Sequence, residues 1–296
     1  MNENNQLKLF EDPYLLPTGK FHISYSELFE FLECSFRHKL KHIKKLDPFA
    51  GSIHTAFGNA VHTALEQYVL TGNQPSVETC EADFKERLEK FLFTKEEVTS
   101  KDAKEFIDVI PEILRQVPLF LDEQFPGWQL VSAEEDLFEY IPGQTNKWFK
   151  GFIDLVIKVP KRKPRRKTTL SGLKGEIIPG EYVYYMLDWK TTSWGWQAKQ
   201  KRSFNKQLQL ILYKKFWCQK TGIPVENVKT GWVFLKRRPN KDGSRIEMLL
   251  VSVGPKALEK ASIQLQSALN QIMSGRVSKN KMSCMWCSFK GTTHCP

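Results

Sequence analysis

The order of apolar patterns along this chain predicts the α/β class, with a mixed central sheet flanked by helices. Three observations carry that reading. Helical periodicity dominates residues 24–124. Three β-prone runs follow, near 129–140, 148–158 and 182–190, and the last two each carry a lone acid among apolar residues. A further helix, two more strands and a last helix then precede a cysteine-bearing tail. With 296 residues and 41% hydrophobic content, the chain can bury one continuous core, and we expect a single domain over 21–296.

The elements follow in order. Residues 1–20 are polar, contain Pro13 and Pro17, and are expected to form an extended N-terminal tail. Helices are predicted over 24–45, where Ser24 or Ser26 supplies a cap, and over 56–71, 76–95 and 102–124. The stretch 72–128 reads as a helical insertion. After the three strands comes a helix carrying Gln207, Gln209 and Tyr213, which stops at Thr221-Gly222-Ile223-Pro224. Strands near 229–237 and 245–253, a helix near 255–274 and a cysteine tail over 280–296 complete the chain. No apolar run is long enough to cross a bilayer and no signal peptide is recognised, so a soluble cytoplasmic protein is expected.

The chemistry concentrates at strand ends. The run 182–187 terminates in Asp188-Trp189-Lys190, which puts a carboxylate and an ammonium on one strand face. Asp154 is a lone acid inside the apolar run 148–157, and burying it unpaired would cost several kcal/mol. Two acids on neighbouring strands repel, and each resists ionising unless a cation sits between them. The pair therefore reads as a divalent-metal site, with Lys190 placed to steady a phosphodiester under attack. Upstream, His62 and Glu66 fall one turn apart on a helix face.

Gly58-x3-His62, Gly151-x2-Asp154, Asp188-x-Lys190 and Gln209-x3-Tyr213, in that order, resemble the RecB-like branch of the PD-(D/E)XK nucleases. The resemblance runs from about Ser24 to the C-terminus. It implies a restriction-endonuclease-like core and metal-dependent phosphodiester hydrolysis. In that frame His62, Asp154 and Asp188 ligate Mg²⁺ or Mn²⁺, Lys190 is the catalytic lysine, and Gln209 with Tyr213 lines the site. Gln207 stands about 200° from Gln209 around the helix and is the fallback for the glutamine. Gln209 is preferred because Tyr213 lies one turn later on its face.

Of six cysteines, Cys284, Cys287 and Cys295 cluster near the C-terminus and Cys34 lies far upstream. In a reduced compartment such a group reads as metal or cluster ligands rather than as bridges. One cysteine before the core and three after it resemble the iron–sulfur subgroup of the superfamily, which includes CRISPR-associated RecB-like exonucleases and AddB-type subunits. A [4Fe–4S] cluster joining Cys34 to the tail is the implied cofactor. The seven-residue gap before Cys295 is longer than that subgroup shows, and His294 adjoins it, so a structural Zn²⁺ is the alternative. Cys80 and Cys218 read as ordinary helix residues.

Charge agrees with a nucleic-acid partner, since 44 Lys+Arg against 33 Asp+Glu give a formal +11 at pH 7. Lys161, Arg162, Lys163, Arg165, Arg166 and Lys167 form the densest run, between the two acid-bearing strands. Trp194 and Trp196 read as packing aromatics, with base stacking the alternative. The expected function is a Mg²⁺- or Mn²⁺-dependent deoxyribonuclease, an exonuclease acting on single strands or ends. The alternatives are a non-catalytic DNA-binding or scaffolding subunit, or the nuclease subunit of a helicase–nuclease or a CRISPR adaptation or recombination complex. Any motor would be a separate chain, because no Gly-x4-Gly-Lys-[Ser/Thr] loop occurs.

Overall fold

The structure is a computed structural model that describes residues 15–46, 51–92, 100–163 and 175–296. The strands are β1 (His22–Ser24), β2 (Gln129–Tyr140), β3 (Trp148–Arg162), β4 (Ile177–Thr192), β5 (Val228–Lys236) and β6 (Ile246–Val251). The helices are α1 (Tyr25–Glu33), α2 (Ser35–His38), α3 (Ile53–Thr71), α4 (Val77–Leu92), α5 (Ser100–Ile107), α6 (Ile110–Gln124), α7 (Ala198–Lys201), α8 (Phe204–Thr221) and α9 (Pro255–Met273). Two compact units result, one of 1–48, 138–151 and 260–296, the other of 49–137 and 152–259. No helix among the described residues is long and apolar enough to cross a membrane.

In the larger unit β3 pairs antiparallel with β4, β4 parallel with β5, and β5 antiparallel with β6, so the sheet is mixed. Alternate strand residues Leu155, Ile157, Val159, Leu187, Trp189, Val233 and Leu235 share one core with α3, α4, α5 and α6. The helix α3 is set by its spacing: Phe57, Ala60, Val61, Ala64, Leu65 and Tyr68 make its buried stripe. Ser52 Oγ accepts from Thr55 N at 3.2 Å to open it, and Gly72 at φ +72° closes it. Gly58 lies where an added Cβ would stand 3.0 Å from Thr191 Oγ1, so a residue without a side chain lets α3 approach the end of β4. Against the opposite face of the sheet lies α8, with the Trp217 ring 5.6 Å from that of Tyr184.

The smaller unit holds β1, which runs parallel to the first residues of β3 from His22↔Trp148 to Ser24↔Lys150. Ser24 caps α1 through Glu27 N at 3.2 Å. The helix expected over 24–45 is in fact three pieces, because Cys34 adopts extended backbone (φ −162°, ψ 104°) and Lys39–Ile43 form a π-helical turn. The tail supplies the partners at that break. Ser278 O accepts from Phe36 N at 3.1 Å, and Asn280 Nδ2 and Ser283 Oγ both donate to Glu33 O. Of the expected extended tail, residues 1–14 lie outside the described residues, while Leu16 and Thr18 are buried and Lys45 Nζ donates to Thr18 O.

Elsewhere the elements depart from the sequence expectation at their ends. The helix expected over 102–124 splits into α5 and α6, with Pro111 in the first turn of α6, where its missing N–H costs nothing. The strand expected over 182–190 extends in both directions to Ile177 and Thr192, and β1 was not expected.

The π-helical turn brings an ionic cluster together. His38 Nε2 lies 3.1 Å from the buried Glu27 Oε1, and Glu30 accepts from Lys41 at 3.0 Å and meets His42 at 2.8 Å. Burial opposes ionisation of Glu30, but the hydrogen bonds from His42 and Lys41 outweigh it and bring the carboxyl down to about 2. A depressed carboxyl contributes stability above its unfolded pKa and loses it as pH falls towards the folded value. Glu30→Gln is therefore expected to lower stability by about 1 kcal/mol at pH 6. Denaturant unfolding over a pH series should show the difference closing between about 4.5 and about 2.

Candidate active site

The site forms where the β3–β4 ladder stops. In-register pairing runs from Pro160↔Tyr182 to Leu155↔Leu187, and the next opposed pair would be Asp154 and Asp188. Residues directly opposed in an antiparallel ladder point to the same face, so register alone aims the two acids together. Asp154 Oδ2 accepts the Trp189 amide at 2.7 Å, and the same oxygen lies 3.6 Å from His62 Nδ1. Asp188 is buried, and its Oδ1 accepts from Gln209 Nε2 at 2.7 Å. Its Oδ2 is buried without a hydrogen-bond donor of good angle and is ion-paired with Lys190. Gln209 Nε2 also lies 3.4 Å from the Tyr213 hydroxyl, one turn along α8.

The electrostatics follow from burial and crowding. Burial, then the neighbouring Asp188, holds the Asp154 carboxyl well above the ordinary range. Burial likewise raises Asp188 against the pull of Lys190. Burial works against the Lys190 charge, but Asp188 and Asp154 more than offset it and raise that ammonium. Burial and Lys190 bring His62 down to about 4, which leaves the neutral, ligand-competent imidazole at neutral pH. Burial and Asp188 push the Tyr213 phenol up to about 12.

A residue the sequence reading passed over completes the group. Single ligand atoms of His62, Glu134 and Asp154 all lie within 4.8 Å of one another, with Asp188 beside them. Glu134 sits in the left-handed region at φ +47°, which interrupts the in-and-out alternation of β2 and re-aims its side chain. Burial, Glu66 and Asp188 all raise its carboxyl. The available signal was the acidic triple Glu134-Glu135-Asp136 inside a β-prone run. Glu135 answers Lys220 at 2.6 Å, whereas Glu134 turns to the other acids. One imidazole and several carboxylates fit a hard divalent cation of the Mg²⁺ or Mn²⁺ kind.

The remaining predicted residues are distributed as follows. Gln207 Nε2 donates to Lys201 O at 2.9 Å, away from the carboxylates that Gln209 meets. In the basic run, Lys161 pairs with Glu181 at 2.7 Å, Lys163 with Glu176 at 2.9 Å, and Arg162 donates to Gly175 O at 3.0 Å. Arg165, Arg166 and Lys167 lie outside the described residues. In the smaller unit, Cys34 follows Glu33, whose carbonyl is held by Asn280 and Ser283, and Cys284 follows Ser283. Cys287 N donates to Cys284 O at 3.3 Å and Cys295 N to Thr292 O at 3.1 Å, so the tail is turned back on itself. Cys80 and Cys218 are buried helix residues whose thiols burial pushes up to about 12 and about 11.

Comparison with known proteins places this geometry. No curated protein matches the chain. Among solved structures, a crystal structure of a "Putative exonuclease" from Eubacterium rectale is similar, with 14% identity and a TM-score of 0.51 over 97% of this chain and 92% of that one. At that identity the likeness shows the fold, a mixed sheet flanked by helices of the restriction-endonuclease-like kind. Residues 22–167, which include His62, Glu134 and Asp154, match the family model of the PD-(D/E)XK nuclease superfamily.

Proposed function

We propose that this chain is a metal-dependent DNA nuclease of the RecB-like kind that hydrolyses phosphodiester bonds as an exonuclease on ends or single strands. The observation that carries the reading is that single ligand atoms of His62, Glu134 and Asp154 lie within 4.8 Å of one another, with Asp188 and its partner Lys190 alongside. His62, Glu134, Asp154 and Asp188 would hold Mg²⁺ or Mn²⁺. Such an ion supplies Lewis acidity and a lowered barrier to deprotonating water.

The chain's own groups supply the rest. Lys190 puts an ammonium next to Asp188, where it can donate to a phosphate oxygen as negative charge accumulates. Gln209 fixes the Asp188 carboxylate through Oδ1, which leaves Oδ2 facing the site. The Tyr213 phenol keeps its proton and remains a donor. Exonuclease rather than internal cleavage draws support from the name of the similar Eubacterium rectale protein. A non-catalytic scaffold would have no use for two acids whose ionisation burial opposes, with Asp188 adding to the cost at Asp154.

For the cysteines the reading is a structural [4Fe–4S] cluster on Cys34, Cys284, Cys287 and Cys295. Support comes from the ties that bring the Cys34 and Cys284 segments together.

Asp188→Ala is expected to abolish cleavage of end-labelled DNA while single-strand affinity is unchanged or tighter, since a negative charge is removed. Persistent cleavage would falsify the site assignment. Glu134→Gln is expected to weaken Mn²⁺ binding at least tenfold in a calorimetric titration, and an unchanged affinity would remove it from the ligand set. Anaerobic purification should yield a brown protein with about four irons per chain and little zinc. Cys287→Ser should lose that colour.

A further inference from the structure

β4 and β5 run parallel and leave the sheet side by side, and their exits stay tied. Arg237 N donates to Thr192 O at 2.8 Å and Arg238 N to Ser193 O at 3.0 Å, while the Arg237 guanidinium donates to Ser193 Oγ. The linked segment then presents Trp194, an indole 65% exposed. The Arg238 guanidinium, itself exposed, lies 4.8 Å from the Trp194 ring centre.

The second indole, two residues on, behaves differently. Trp196 packs on Trp232 at 4.6 Å and on Phe234 at 5.3 Å, with Lys206 over its ring. Of two tryptophans that the sequence leaves equivalent, one serves the core and the other stands in water. An exposed indole beside a flat guanidinium, held by a hydrogen-bonded segment, is preorganised for stacking and for charge contact together.

Trp194 follows Lys190 by four residues, at most about 13 Å along a chain that bends after Thr192. A strand leaving the carboxylate site along β4 would pass it. Resting on the nuclease reading for its substrate, we infer that Trp194 and Arg238 form a stacking platform for an unpaired nucleobase, with Arg238 also meeting the adjacent phosphate. A base inside a duplex has both faces covered by its neighbours, so the platform selects single strands or frayed ends.

The experiment measures binding of the full chain in EDTA, where no cleavage intrudes, by fluorescence anisotropy. The probes are labelled oligothymidylate, a hairpin duplex of equal length, and oligothymidylates with one abasic site stepped along the chain. Trp194→Ala is expected to lose about tenfold or more in single-strand affinity with the duplex unaffected, and Trp194→Phe to retain most of it. An abasic position that weakens binding to the unaltered protein should cost nothing further in Trp194→Ala, a coupling that a general loss of structure would not produce. Equal single-strand affinity in Trp194→Ala, equal losses on both probes, retained abasic penalties, or no single-strand binding by the unaltered protein would each overturn the inference. The nuclease reading stands or falls separately, on cleavage by the unaltered protein and by Asp188→Ala in Mg²⁺ or Mn²⁺.

Discussion

Asp154, partly buried, and Asp188, fully buried, stand opposite one another at the point where two strands stop pairing, and the arrangement of the larger unit follows from tolerating that pair. Backbone pairing beside them, from Leu155↔Leu187 to Val159↔Val183, fixes the register that sets the two acids opposite each other. Burial makes each carboxylate costly and proximity makes the second costlier. Positive charge is the remedy, and Lys190, on the same strand face as Asp188, is the part of it that the chain provides itself.

The two faces of the sheet contribute different things to this point. From one face α3 brings His62, and its close approach depends on Gly58 against Thr191. From the other α8 brings Gln209, which holds Asp188, with the Tyr213 hydroxyl beside it. β2 adds Glu134 by leaving regular strand geometry for one residue. α3 and the strands β3 and β4 are anchored by a hydrophobic core that has no part in the chemistry.

Much of this was legible in the residues because it is local. Strand runs ending in acids, a histidine one turn past a glycine, and a glutamine four residues before a tyrosine are short-range patterns. The register that opposes Asp154 to Asp188 follows from two apolar runs seeking the same core. What escaped was non-local or conformational. Glu134 reaches the site through a left-handed backbone, which no propensity assigns to glutamate. The helix break at Cys34 depends on partners more than 240 residues away. Lys161 and Lys163 read as part of a nucleic-acid-binding run, yet they meet Glu181 and Glu176, 20 and 13 residues on. Exposure alone separates Trp194 from Trp196, and sequence carries no exposure.

Residue 189 shows how structure and chemistry are divided within a single amino acid. Its indole belongs to the hydrophobic interior, while its main-chain N–H secures Asp154. Every amino acid but proline carries that N–H. Drift at this position would thus be felt as a change in melting behaviour rather than as a change of ligand geometry, and proline is the one replacement that would erase the anchor while keeping the acids themselves.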